Sequence, residues 1–386
     1  MSGIIYNIDE AIQNSYFNVL QEPVQFILDN EVEAFEKKSI IPKVFVMKTT
    51  DKYREEFRST TAMDGFKPTE DMEPAGLVDF EEGYSKQYVF QTWTAAFIVS
   101  KQTMEDKQMG DVSPKALGFI KSYGRTREQY ATRMFGAALG HEYDAFRITA
   151  KSGKGMDTTD GTLDGTKQQY FHNAHKTVKL KGEAAPRATQ SNKFHTTGLD
   201  FTGADTEIGE KVMDIIGQVK SIMNKYVDDK GNIVPCNPTM ILMGEDYRLH
   251  DILVRAIKSA YGITNSSETS FQPFEIVVSP YLSAVEGFTD ADHALVLIDP
   301  DRNREGMGAV WFDRKPLEID SYIDKKSKAN VWDGRARFGA GFGDFRAMAY
   351  INLAGNDTNN STDLTAKTLV NGVKNVKVVN AAEIGA

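Results

Sequence analysis

The sequence predicts an α+β protein, in which strand-rich segments near both ends of the chain bracket a long helix and a block of alternating helices and strands. Three observations carry this expectation. Residues 44–61 (VFVMKTTDKYREEFRSTT) and 86–99 (KQYVFQTWTAAFIV) are rich in β-branched and aromatic residues. Residues 113–148 repeat apolar side chains three or four apart. From Asp205 onward helical and strand patterns alternate, from TEIGEKVMDIIGQVKSIMNKY through TMILM, EDYRLHDILVRAIKSAYG, FEIVVSP and ALVLIDP to AVWFD and LEIDSYID.

In chain order, residues 9–37 place Phe17, Leu20, Val24, Ile27, Leu28, Val32 and Phe35 at helical spacing, with Pro23 as a kink or helix start. They predict an N-terminal arm over 1–43. The two strands of 44–99 are separated by residues 62–85, which have neither helical nor strand periodicity. A connection of that length is far beyond a hairpin loop of two to five residues, so it predicts a projecting arm. Between 62 and 88 the segment holds seven acids, Asp64, Glu70, Asp71, Glu73, Asp79, Glu81 and Glu82, against Lys67 and Lys86. Met72, Leu77, Val78 and Phe80 are interspersed among them.

The long helix begins, on sequence grounds, with Ser113 as cap and Pro114 in the first turn. Leu117, Ile120, Tyr123, Tyr130, Met134 and Ala138 form its apolar stripe. Lys115, Lys121, Arg125, Arg127 and Arg133 are expected on a basic outer face, which is either solvated or a docking surface for something acidic. Residues 151–205 are polar and rich in turns. MDTTDGTLDG there lacks the ligand spacing of an EF-hand, and His172, His175 and His195 lack a zinc framework, so the histidine pair is expected at the solvent-exposed surface.

Near the end of the chain, GRARFGAGFGDFRAMAYINLAG contains Gly339, Gly341 and Gly343 in a pattern that superficially resembles a phosphate loop. A dinucleotide fingerprint needs a third glycine where Asp344 stands, and no βαβ unit follows. The segment is expected to be a strand whose glycines permit a bend or close backbone approach. Beyond it, NDTNNSTD reads as a linker and TLVNGVKNVKVVN as a hairpin turning at Asn371-Gly372.

Composition narrows the function classes. The chain has 386 residues, 41% hydrophobic and 26% charged, and a net charge of −9, which argues against a uniformly basic phosphate-binding surface. No apolar run is long enough to span a bilayer, and the N-terminus lacks a basic leader, so neither membrane insertion nor signal-peptide export is expected. A single cysteine, Cys236, leaves no intramolecular disulfide, and its turn-like setting predicts an inert thiol. No catalytic, cofactor or metal motif is present. If the alternating block were an enzyme, Asp299, Asp301 and His293 on strand-end loops would be its candidates, although turn-forming roles explain them more simply.

The order of these parts resembles the major capsid proteins of tailed bacteriophages with the Hong Kong 97-type fold, and in shape its Mu-like branch. The resemblance runs over about residues 44–355, through YREEFRSTT and YVFQTWTAAFIVSKQTMED, SPKALGFIKSYGRTREQYATRMFGAAL, MNKYVDDKGNIVPCNPTMILM and VWDGRARFGAGFGDFRAMAYINL. It implies an N-terminal arm (1–43), an extended-loop region (44–99, with the loop at 62–85), a peripheral domain with spine helix 113–148 (100–205), an axial domain (206–325), closing strands of the peripheral domain (326–355) and a tail (356–386). It further implies no enzymatic activity and no cofactor. The subunit would self-assemble into pentamers and hexamers of an icosahedral head enclosing double-stranded DNA, built in the host cytoplasm with a portal and a separate scaffolding protein; a processed chain is the alternative to separate scaffolding. An encapsulin-like shell around protein cargo has the same fold and remains an alternative. The intersubunit residues implied are Glu70, Asp71, Met72, Glu73, Leu77, Val78, Asp79, Phe80, Glu81 and Glu82 on the loop, with Lys121, Arg125, Arg127 and Arg133 on the helix of a neighbour.

Overall fold

The computed structural model describes residues 5–8, 26, 28–32, 35–60, 82–106, 109–140, 169–177, 180–181, 183–197, 199–260, 274–306, 308–364 and 377–378. In chain order the elements are β1 (Ile5–Ile8), α1 (Ile41–Val44), β2 (Val46–Thr49), β3 (Arg54–Thr60), β4 (Glu82–Val89), β5 (Gln91–Val99), α2 (Lys101–Glu105), α3 (Met109–Ala138), β6 (His175–Lys176), β7 (Ala188–Gln190) and β8 (Lys193–His195). They continue with α4 (Asp205–Met223), β9 (Met240–Gly244), α5 (Tyr247–Ala260), β10 (Glu275–Ser279), β11 (Ala294–Ile298), α6 (Pro300–Gly306), β12 (Ala309–Ile323), β13 (Asn330–Phe342), β14 (Met348–Asn352), β15 (Thr362–Asp363) and β16 (Lys377–Val378). Helices and sheets are mixed, as the sequence predicts.

Two sheets organise the chain. The first runs β1-β12-β13-β5, with β2 also pairing β12. Along β13 the pleat sends alternate residues to opposite faces. Trp332, Ala336, Phe338, Ala340 and Phe342 join one core with Ala116, Ile120, Tyr130, Met134 and Phe135 of α3. Tyr130 sits edge-on to Trp311 and Phe338, with ring centroids 5.7 and 5.6 Å away.

The second sheet runs β10-β9-β11-β14-β8-β15. Its central strands β9, β11 and β14 are buried along their whole length, hence their largely apolar sequences. One face, through Ile241, Met243, Leu295, Leu297, Ala349 and Ile351, packs on α4 and α5. The opposite face, through Leu242, Val296, Met348 and Tyr350, joins the core beneath α3.

Several expectations shift. The long helix starts at Met109, so Pro114 lies inside it and Ser113 does not cap it. Buried Val112 and Ala116 anchor the turns around the proline, which outweighs the hydrogen bond its missing N–H forfeits. The helix ends at Ala138, and Gly140 follows at φ +98; residues 141–148 lie outside the described residues. AVWFD and LEIDSYID are one strand, β12, and it belongs to the first sheet rather than to the α/β block. Its pairing with β13 is irregular around Lys315 and Glu318, where Pro316 supplies no ladder donor. The glycine-rich segment is likewise not one strand. β13 ends at Phe342, Phe345–Ala347 forms a 3-10 turn, and β14 crosses into the second sheet. Of the tail hairpin, only Lys377–Val378 is described, pairing with β7.

Residues 26, 28–32 and 35–36 of the N-terminal arm are helical. Leu28 is fully buried in the α3 core, and the Phe35 ring lies over Gly124, where an added Cβ would come within 2.6 Å of it. The arm therefore has a fixed seat on α3.

Candidate functional site

The two-stranded arm is built by β3 and β4, paired antiparallel from Arg54 with Val89 to Thr60 with Glu82. β4 thus begins at Glu82, inside the span that showed no periodicity. The loop residues Glu70, Asp71, Met72, Glu73, Leu77, Val78, Asp79, Phe80 and Glu81 lie outside the described residues.

The base of the arm is a small aromatic cluster of Tyr88, Phe90, Val310 and Phe312, with Phe57 against it. It sits on the face of the first sheet opposite α3. The glycines of β13 make room for it, since a Cβ at Gly341 would lie 2.3 Å from the Tyr88 ring and one at Gly339 would lie 3.0 Å from the Val89 carbonyl oxygen. The glycine run is thus a seat for the arm. Tyr88 is 3% exposed and its ring packs 5.2 Å from Phe312, so it has little room to yield. Gly341→Ala is therefore expected to destabilise the protein by about 1–3 kcal/mol, an overpacking cost read by urea denaturation. At the entrance to β3, Thr50 Oγ1 donates to Glu55 at 2.5 Å and Lys52 lies 3.2 Å from it. The Thr50 hydrogen bond, aided by Lys52, holds the Glu55 carboxyl below its ordinary range.

The basic residues assigned to α3 do not share one face. Arg127 is 7% exposed and lies in the core. Its guanidinium pairs with Asp313 at 3.3 Å, donates to the Tyr123 hydroxyl at 3.2 Å and lies over the Trp311 ring at 5.2 Å. Trp311 Nε1 donates to the same carboxylate at 2.9 Å. The physical reason is in the spacing: positions 120, 123, 127, 130 and 134 continue a single stripe, so Arg127 falls among the apolar residues. Lys121 is exposed but lies 3.7 Å from Glu31 of the arm helix. Arg125 is exposed, and Arg133 is half-buried.

A second group of cations, which sequence reasoning did not single out, lies beside the arm base. Arg335 and Arg337 alternate along β13 on the face opposite α3, and Arg314 lies on the neighbouring strand β12. Among the described residues no carboxylate lies within ion-pair distance of these three, and Arg314 Nη1 and Arg337 Nε are buried with no hydrogen-bond partner. Partial burial, then the nearby Arg314 and Arg335 charges, push the Arg337 guanidinium below its ordinary range. The carboxylate opposite Arg335 in register, Glu318, is engaged by Lys315 at 3.4 Å. The Arg335-x-Arg337 alternation was visible in the sequence; the missing partners were not.

The remaining chemical candidates have structural roles. His175 is fully buried, against the expectation of an exposed pair. It lies 2.8 Å from Asn192 Oδ1 and stacks on Phe345 at 4.1 Å. Asn192 also donates to the Tyr170 and Met348 carbonyls, so this polar knot ties the segments around the sheet crossover. His195 is buried in β8. Asp299 accepts from the backbone of Asp301, Arg302 and Asn237, while Asp301 faces Arg304 at 3.5 Å. His293, at φ +42, lies 2.6 Å from Asp246 and stacks on Phe201. Burial pushes the Cys236 thiol up to about 12, which suppresses thiolate at neutral pH. Asn352 is fully buried and bonded to Asn356.

Asp344, which breaks the phosphate-loop pattern, holds the crossover from β13 to β14. It accepts from Arg346 at 2.9 Å and from Arg302 at 3.0 Å. Burial pushes its carboxyl up, but the Arg346 and Arg302 charges and the Arg346 hydrogen bonds outweigh this, and it is held below the usual range. A depressed folded-state value contributes stability that is present above the unfolded value near 4 and lost as pH falls below it. Asp344→Asn is therefore expected to lower stability at pH 7 and to flatten the acid limb of the stability curve below about pH 4, checked by chemical denaturation from pH 7 to 3.

No family model matches the sequence, and no curated protein matches it. Among solved structures, the chain is similar to the capsid of Myoviridae phage XM1, with 11% identity, a TM-score of 0.45, and coverage of 81% of this chain and 91% of that one. It is also similar to the capsid of cyanophage P-SCSP1u, with 10% identity, a TM-score of 0.47, and 82% and 89% coverage. A third likeness is to a virus-like particle from Pyrococcus furiosus, with 9% identity, a TM-score of 0.42, and 86% and 98% coverage. The solved structures it resembles are shells.

Proposed function

We propose that the protein is a shell subunit with the Hong Kong 97-type architecture, the major capsid protein of a tailed-phage head. One observation carries this reading: a two-stranded arm is seated by a glycine strand on one face of a sheet whose other face carries a 30-residue helix, with an α/β block attached through the same core. The arm is an assembly device. It projects from its own subunit, and its loop joins acids to the apolar Met72, Leu77, Val78 and Phe80. Exposed ion pairs contribute only about 0–1 kcal/mol each, whereas each anchor contributes up to roughly 1.5–3 kcal/mol when fully buried. Charge steers association and apolar burial holds it. Repeated around closed rings, such contacts sum to a stable shell.

In this reading the subunits form pentamers and hexamers around double-stranded DNA, with separate scaffolding and a portal, in the host cytoplasm. An acidic subunit suits a container that must let packaged DNA move rather than bind it at each phosphate. The test is size-exclusion chromatography with light scattering on the purified full chain. The expected result is a fraction whose mass is a large, reproducible multiple of the subunit mass. A monomer at every concentration, also when scaffolding from the same source is supplied, would overturn the reading.

A further inference from the structure

Three guanidiniums on one sheet face repel one another and have no counter-charge among the described residues. Holding them there without a partner is unfavourable, more so because Arg314 Nη1 and Arg337 Nε are shut off from water. Such a face is complete only when an anionic group covers it. The strongest anion in the chain is its own segment 70–82, EDMEPAGLVDFEE, with six acids and no base.

The strand that this segment leads into starts far from the cluster. Glu82 begins β4, six residues along the strand from Tyr88 at the arm base. At about 3.3 Å per residue, that is roughly 20 Å away. β4 therefore starts well away from the cluster, whereas an adjacent copy can lay the acids of its own segment on it. We infer that Arg314, Arg335 and Arg337 form the seat for the acid-rich segment 70–82 of a neighbouring copy of this chain. Tyr53, 67% exposed and close enough to Arg337 to act on it electrostatically, offers an aromatic surface for the apolar residues of that segment. The inference rests on the shell reading and assigns its acidic loop a different acceptor from the helix face.

The test is a charge swap in the full chain. One variant carries Arg335→Glu and Arg337→Glu, a second carries Asp79→Lys, Glu81→Lys and Glu82→Lys, and a third combines all five. Circular dichroism and melting first establish that each is folded. Each of the first two is expected to reduce the yield of shells by about tenfold or more at low salt, and the combination to restore it, since the reversed charges again face one another. Normal shells from either single-side variant would overturn the inference and leave the proposed function standing. So would failure of the folded combination to recover. Normal shells that lose retained DNA on Arg335→Glu and Arg337→Glu would overturn it in favour of a phosphate-facing surface. Absence of shells from the unaltered chain under every condition would remove the proposed function and the inference together.

Discussion

Replacing residues 61–81 by Asn-Gly is expected to give a folded subunit that forms no shell. Thr60 and Glu82 are already paired across the β3–β4 ladder, so a two-residue turn closes the hairpin without disturbing its base. The aromatic cluster of Tyr88, Phe90 and Phe312 and the whole α3 core lie outside the deleted span. The melting temperature should therefore move by no more than a few degrees, the shift that about 0.5 kcal/mol produces at a surface position. Assembly should be lost altogether, because the acids and the apolar anchors are removed together. Light scattering and melting on one preparation separate the two effects. Shells of ordinary diameter from the shortened chain would show that the loop is dispensable.

The second large effect is at Arg127. Arg127→Met is expected to destabilise the subunit by about 3–5 kcal/mol, because it leaves the Asp313 carboxylate buried and unpaired. Adding Asp313→Asn should recover most of that loss. The amide removes the uncompensated charge while keeping an oxygen to accept from Trp311 Nε1, which donates to Asp313 Oδ1 at 2.9 Å. Urea denaturation of the wild type, both single variants and the double variant completes the cycle. A loss below about 1 kcal/mol for Arg127→Met would place the residue among ordinary surface cations.

This pair also shows where the sequence was legible. The α3 periodicity was plain, and counting it strictly would have put position 127 in the apolar stripe. Its partner, 186 residues away, could not be inferred from spacing. Strand composition located β3, β4 and β5, but not the sheet each strand enters. β12 and β14 exchange sheets relative to expectation because strand pairing is fixed by packing across the whole chain rather than by local pattern. The glycines of β13 signalled close backbone approach, which was right in kind. What approaches them is the Tyr88 ring, a side chain that only the folded arrangement brings there. Pro114 resembles a start signal in sequence, but the burial of Val112 and Ala116 holds it inside the helix, so Ser113 is no cap. The polar segment around His172 and His175 suggests surface residues, yet Asn192 Oδ1 meets the His175 ring and accepts from the His172 backbone N–H, while the His172 ring accepts from Ala174 N–H.

The most direct test of the central claim is negative-stain electron microscopy of the purified full chain at low and high salt. The account predicts closed particles of uniform diameter, fewer at high salt as the steering charges are screened. Monomers or dimers alone, at every salt and protein concentration and with scaffolding supplied, would contradict it.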